Sequence, residues 1–376
     1  MVVGGAMGGG GAGWGSAAAA AAGTALVGAA LAGYAAVGSA VGPGGPGWPP
    51  PGEPEMGSRQ LGPRGFTRRF TSRQGLRLHC SFWPAAGESK GIIVLVHGHG
   101  SHCAFEFLLS PGQGAESGPR AYLNSWVERL NAEGWSCAGI DHQSMGRSEG
   151  IGGCPNFIED FDDLVGDLEE FCDGQMAGLG GPAFSSGLPR VILGSSLGGA
   201  VATSALLRRP DLAHGLMLLS PMLSLEKVAR KGSNYYLRPL MNVVSAWCPT
   251  LQVVKVEKCP ILHFQEEFQA DPLNYHGGTR VRNAQCYLKA CEFIMSRCEE
   301  LTVPFITSHS ADDPYTDPDG SVSLVERAKS TDKTLNLVRG MWHIINQEPG
   351  NEKILEKLVE WLDARWGQGT SLQGGQ

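Results

Sequence analysis

Residues 190–208 read R-V-I-L-G-S-S-L-G-G-A-V-A-T-S-A-L-L-R, an apolar run, a Gly/Ser bend and then small residues suited to a closely packed helix. An apolar run without polar alternation marks a strand covered on both faces, which requires helices above and below the sheet. A second such run, G-I-I-V-L-V, occupies 91–96, and shorter ones lie at 136–141, 215–220, 305–310 and 335–340. Helical patterns separate them. Residues 157–171 place Phe157, Phe161, Leu164, Val165, Leu168 and Phe171 on one face, and 351–366 are similarly amphipathic. On that helix Glu159, Asp160, Asp163, Asp167 and Glu170 read as a solvated face and not as a metal site. Strands alternating with helices predict an α/β chain with a mostly parallel, doubly wound sheet. Residues 65–83 alternate and turn at Gln74-Gly75, as an antiparallel hairpin would.

The ends do not share this rhythm. No charged side chain occurs before Glu53, and Ala, Gly and Pro dominate to that point, so residues 1–60 are set apart as a low-complexity segment and linker. The remainder, 61–366, reads as one large α/β domain and precedes a short C-terminal tail, 367–376. Residues 16–42 are long enough to cross a bilayer, yet Ala and Gly carry little transfer free energy and no basic residue flanks them. A low-complexity tail is the favoured reading, with a membrane anchor and a targeting sequence as alternatives. Residues from about 222 to 300 interrupt the strand–helix alternation and are expected to form a helical cap over one edge of the sheet.

Charge narrows the partners. A net charge of −7 argues against nucleic acid, which needs clustered Lys and Arg. The basic stretch Arg59 to Arg77 reads as solvated surface in preference to an anionic-lipid site. The ten cysteines contain no C-x-x-C pair, so free thiols are expected, with no metal site and no cofactor.

Gly194-Ser195-Ser196-Leu197-Gly198 fits G-x-S-x-G between strand and helix. A serine on so sharp a turn needs glycine two residues to either side, because neighbouring Cβ atoms would collide. That spacing selects Ser196 over Ser195. A nucleophilic serine needs a base and a carboxylate to orient it, in the chain order Ser, Asp or Glu, His. Of the histidines after residue 270, His276 falls in the interruption, His309 within or beside a strand, and His343 on a loop three residues past Gly340. His343 is therefore the expected base. The segment H-S-A-D-D-P-Y-T-D (309–317) offers the acid, and its position directly after a strand end favours Asp312, with Asp313 the competitor. Two backbone N–H groups must receive the developing negative charge. Leu197 and His99, the latter in V-H-G-H-G (96–100), are assigned to them, while the His99 ring could either line the pocket or face solvent.

These residues resemble the monoacylglycerol lipase and lysophospholipase branch of the α/β-hydrolase superfamily. The resemblance extends over about 65–366 and includes D-H-Q-S-M-G-R-S-E-G (141–150), S-P-M-L (220–223), D-P-L-N-Y-H-G-G-T-R-V (271–281), L-T-V-P-F (301–305), S-A-D (310–312) and A-K-S-T-D-K-T-L (328–335). It implies the α/β-hydrolase fold, the triad Ser196, Asp312 and His343, and the oxyanion donors His99 and Leu197. It further implies a cap that guides acyl chains, a lipid ester substrate and contact with a lipid surface from an intracellular, cytoplasmic or membrane-associated position. A non-lipid carboxylesterase, a small-substrate peptidase or an acyltransferase could use the same triad. A non-catalytic binding protein would normally lack one member. The chain departs from the family in carrying Ser195 where histidine usually precedes the nucleophile, His309 in place of glycine, and a long stretch at 101–120.

Overall fold

The uninterrupted apolar segment Gly91–Val96 (β3) lies in the middle of an eight-stranded sheet, with every residue buried. The computed structural model describes residues 48–52, 54–110, 120–230, 241–254 and 259–367. The other strands of the main sheet are Phe66–Thr71 (β1), Arg77–Trp83 (β2), Trp135–Ile140 (β4), Arg190–Ser195 (β5), Gly215–Leu219 (β6), Phe305–Ser310 (β9) and Lys333–Val338 (β10). Gln252–Val254 (β7) and Thr279–Arg280 (β8) form a separate antiparallel pair. The main order is β1-β2-β4-β3-β5-β6-β9-β10. β1 and β2 form the expected hairpin, and β2 joins β4 antiparallel. All remaining neighbours are parallel, as in the α/β-hydrolase fold.

Successive β3 side chains enter opposite layers. Ile92, Val94 and Val96 join one core, and Ile93 and Leu95 the other. Each such burial contributes roughly 1.5–3 kcal/mol, which is why polar residues are absent from the strand. The helices that matter to the site are Cys103–Phe107 (α1), Trp126–Ala132 (α2), Phe161–Glu170 (α3), Leu197–Arg208 (α4), Met241–Trp247 (α5), Leu262–Ala270 (α6), Val281–Arg297 (α7) and Asn351–Trp366 (α8). Apolar faces of α3, α4 and α7 fill the first core layer, and those of α2 and α8 the second.

Three features differ from expectation. The cap does not extend to 300, because α7 buries Cys286, Tyr287, Ala290, Cys291 and Ile294 in the main core. The expected acidic face of 157–171 loses Asp167, which turns inward and accepts the Gln143 Nε2–H at 2.9 Å. Desolvation raises its carboxyl to about 7. The linker also reaches the folded part earlier. Met56 is buried, its Sδ accepts the Ser81 hydroxyl at 3.2 Å, and Trp83 Nε1–H donates to the Gln60 carbonyl at 3.1 Å. The folded unit therefore begins near Gly47, not at 61. Segment 16–42, residues 111–119 of the long stretch and tail residues 368–376 lie outside the described residues.

Candidate active site

β5 runs directly into α4, and Ser196 at the junction adopts φ 49° and ψ −115°. Few side chains tolerate such a backbone. A Cβ on Gly194 would stand 2.6 Å from the Gly198 carbonyl, and one on Gly198 only 2.1 Å from that of Val96. The glycine spacing read in the sequence is thus a packing requirement. The Ser196 N–H donates to the Leu219 carbonyl at 3.0 Å, and the Ser196 carbonyl accepts from Met222 at 2.9 Å. These bonds to β6 and the residues after it hold the strained turn in place.

Ser196 Oγ lies 3.0 Å from His343 Nε2, and His343 Nδ1 lies 2.6 Å from Asp313 Oδ2. The structure thus brings Ser196 and His343 together, as the chain order requires, but joins them to Asp313 and not to Asp312. The chain leaves β9 through a turn in which Asp313 N–H donates to the Ser310 carbonyl at 3.4 Å. This turn points Asp312 outward, where it is exposed and accepts the Gly340 N–H at 3.5 Å, and swings Asp313 under the histidine. Asp313 Oδ1 accepts the N–H groups of Tyr315 and Thr316 at 2.8 and 3.0 Å, and Oδ2 accepts the Thr316 hydroxyl at 3.0 Å. Burial alone would push this carboxyl up. The neighbouring His343, the hydrogen bonds from His309 and His343, and the Thr316 amide outweigh burial and hold it well below the usual carboxylate range. His309, inside β9 as expected, is a second imidazole on the same oxygen at 3.3 Å.

The loop carrying His343 curls around Glu348, which sequence reading passed over. Glu348 Oε2 accepts the Trp342 N–H at 2.6 Å. That bond anchors the residue immediately before His343 and so helps fix the direction in which His343 leaves the backbone. No pattern of spacing in the sequence marks such a contact.

Beyond β3 the loop 97–100 passes against the elbow, with a Cβ on Gly98 falling 3.2 Å from that of Ser196. The His97 ring donates through Nδ1 to the Gly98 carbonyl at 2.8 Å and accepts the His142 N–H on Nε2 at 2.9 Å. That assignment uses both nitrogens of a neutral ring, and burial lowers its pKa to about 4. His99 supplies the next amide, and its ring is half-buried, with Nδ1 2.7 Å from the Tyr287 hydroxyl and Nε2 3.2 Å from Asn156 Nδ2. Burial and repulsion by His97 lower it too, to about 4. Leu197 opens α4, so its N–H lies among the first-turn amides that have no acceptor within a helix. Asp141, in the 141–150 motif, accepts the Cys103 and Arg147 N–H groups at 2.9 Å each and stitches that motif to α1.

The cap meets this loop through polar contacts. Tyr275 N–H donates to the Gly100 carbonyl at 2.8 Å, and His102 Nε2 pairs with Asp271 at 3.1 Å. Arg120, buried beside Phe105, reaches Glu267 on α6 at 3.0 Å and Gln347 at 2.6 Å. All ten cysteines are unpaired, and among the described residues no group of three or more His, Cys, Asp or Glu is placed to hold a metal ion.

A family profile described as "Serine aminopeptidase, S33" matches residues 87–350. Rat monoglyceride lipase is 25% identical over 296 residues, covering 77% of this chain and 88% of its own. Caffeoylshikimate esterase from Arabidopsis thaliana is 27% identical over 308 residues, covering 79% and 84%. Among solved structures, a soluble variant of monoglyceride lipase from Saccharomyces cerevisiae in complex with a substrate analog superposes with a TM-score of 0.64 at 18% identity. That match covers 79% of this chain and 94% of the other.

Proposed function

We propose, from the premise that this chain belongs to the serine aminopeptidase S33 family of α/β hydrolases, that Ser196, His343 and Asp313 form the catalytic triad of a carboxylic ester hydrolase. The continuous hydrogen-bonded path Ser196–His343–Asp313, at 3.0 and 2.6 Å, carries the reading. His343 Nε2 takes the Ser196 proton as Oγ attacks the acyl carbon, and the carbonyl oxygen becomes an oxyanion facing the His99 and Leu197 amides. Collapse of this intermediate breaks the ester bond, and His343 returns the proton to the leaving alcohol. Water then repeats the sequence on the acyl-enzyme and releases the carboxylic acid. Asp313 keeps the Nδ1–H tautomer of His343 in place and, being held low, stays ionised while the imidazolium forms.

The substrate is a lipid ester, foremost a monoacylglycerol or lysophospholipid. The named monoglyceride lipases similar to this chain support it, as does a cap that carries exposed apolar side chains, Trp247 and Val243 on α5 and Leu262 on α6. These side chains support contact of the cap with a lipid surface. Among the described residues no helix is long and apolar enough to cross a membrane. The likeness to caffeoylshikimate esterase supports a phenolic ester as a second substrate class on the same triad.

A fluorophosphonate probe tests the chemistry. The wild-type protein and Ser195→Ala should label, whereas Ser196→Ala should not, and its ester turnover should fall by about 10⁶ as for comparable triads. Labelling that survives in Ser196→Ala would remove the proposal. A panel of monoacylglycerols, lysophospholipids and hydroxycinnamoyl esters then ranks the substrate classes by kcat/KM.

A further inference from the structure

Glu106 belongs to no motif that identifies the site, yet it contacts three of the segments that build it. It sits near the end of α1, a five-residue helix folded back beside the loop 97–100. Its Oε2 accepts the Gly98 N–H at 2.7 Å. The Ser195 side chain interacts with the same carboxyl group and opposes the upward push of burial on it. Gly98 precedes His99 and Ser195 precedes Ser196, so both contacts are one residue from groups of the reaction centre. The loop backbone is pressed between the two sides. A Cβ on Gly98 would lie 3.2 Å from Ser196 Cβ and 3.4 and 3.5 Å from the two Glu106 carboxyl oxygens. On the far side, Asn346 and Gln347, just past His343, donate their side-chain amides to the Glu106 carbonyl at 2.8 and 2.6 Å.

The consequence follows from peptide geometry. The planar trans peptide between Gly98 and His99 directs its N–H opposite to its C=O. His97 holds that C=O at 2.8 Å, and Glu106 holds the N–H of the preceding peptide at 2.7 Å. Both peptide units flanking Gly98 are therefore locked, and the direction of the His99 N–H is fixed with them. Ser195 ties the same carboxyl to the elbow, so a hydroxyl where the family usually carries histidine acquires a partner.

We propose that Glu106 is a positioning residue that, through Gly98 and Ser195, orients the His99 amide toward the oxyanion formed at Ser196. The inference rests on the acyl-transfer reading above. A positioning residue acts on the transition state and leaves ground-state binding nearly untouched.

The test uses the full chain, a soluble ester such as p-nitrophenyl butyrate, and a trifluoromethyl ketone that adds to the serine as a tetrahedral adduct. Glu106→Ala should lower kcat by about 10²-fold, the scale of a small misplacement in an active site, with KM changed less than about twofold. Affinity for the ketone should weaken by the same factor as kcat/KM. Glu106→Gln keeps an oxygen acceptor for Gly98 and should recover most of the lost kcat. Glu106→Asp, too short to reach, should resemble the alanine variant. Thermal unfolding accompanies each variant, and if Glu106→Ala does not fold, the Gln and Asp pair carries the comparison. Unchanged kcat in Glu106→Ala or Glu106→Asp, or a Gln variant as impaired as Asp, overturns the positioning role. Wild-type protein inert toward all esters, or full turnover by Ser196→Ala, would instead overturn the hydrolase reading on which it depends.

Discussion

Asp312 and Asp313 are adjacent in sequence, and a single turn decides between them. Only Asp313 is enclosed, with its oxygens taken by His343, Thr316, Tyr315 and His309, while Asp312 faces outward. Asp313→Asn should keep the geometry but favour the wrong imidazole tautomer, lowering kcat by about 10⁴-fold as in comparable triads. Asp312→Asn should stay within about twofold of wild type. Steady-state kinetics on one soluble ester measures both, and equal losses in the two variants would show that the turn had been misassigned. The serine and histidine were legible because rigid patterns mark them: glycines at fixed offsets for Ser196, and a strand end followed by a loop for His343. Spacing could not choose between two aspartates one residue apart, because that choice lies in the rotation of the chain after β9. Glu106 and Glu348 were invisible for a related reason, since each acts on backbone amides that only tertiary folding brings near.

At the level of elements, β3 and β9 fall where the apolar runs placed them, because a strand buried on both faces has no other way to be written. Helix α7 falls within the stretch expected to form the cap, yet it packs in the main core. Its inward residues Cys286, Tyr287, Ala290, Cys291 and Ile294 do recur at helical spacing, so the signal was present. It was masked by cysteines and an alanine, which signal a core less strongly than Leu or Ile. The true cap elements show the opposite pattern. Trp247 is 82% exposed and Val243 59%, both on the seven-residue α5. Large apolar side chains held in water gain free energy only when something apolar covers them. If that cover is a lipid surface, the double variant Trp247→Ser, Val243→Ser should bind phosphatidylcholine vesicles at least about fivefold more weakly, consistent with roughly 1 kcal/mol or more of lost transfer free energy. Its kcat on the soluble ester should be unchanged. Equal sedimentation of variant and wild type with vesicles would remove the lipid-surface role of α5.

For the whole molecule, the question is where the catalytic unit begins. Composition placed the boundary near 60, since Pro and Gly dominate as far as Pro54, and composition alone does not reveal that such a segment packs. Residues 55–60 nevertheless pack against β1 and β2. Glu55 pairs with Arg69 at 3.1 Å, but both are substantially exposed, so the pair adds little. Met56 is 6% exposed, Trp83 Nε1–H donates to the Gln60 carbonyl, and Tyr122 N–H donates to the Arg59 carbonyl at 2.9 Å. Burying one Met is worth roughly 1.5–3 kcal/mol, and each hydrogen bond about 1 kcal/mol net. A chain starting at Gly47 should therefore match the full chain in urea-unfolding free energy. One starting at Gly65 should lose about 3–5 kcal/mol, and it also leaves the Trp83 indole N–H and the Tyr122 amide without their partners. Met56→Ala in the full chain should fall between them, at about 2–3 kcal/mol. A Gly65 start as stable as the Gly47 start would mean that the strap contributes nothing and that the compositional boundary was correct. A loss confined to the Gly65 start, with ester turnover retained at low temperature, would establish residues 48–64 as structural support for a site they do not touch.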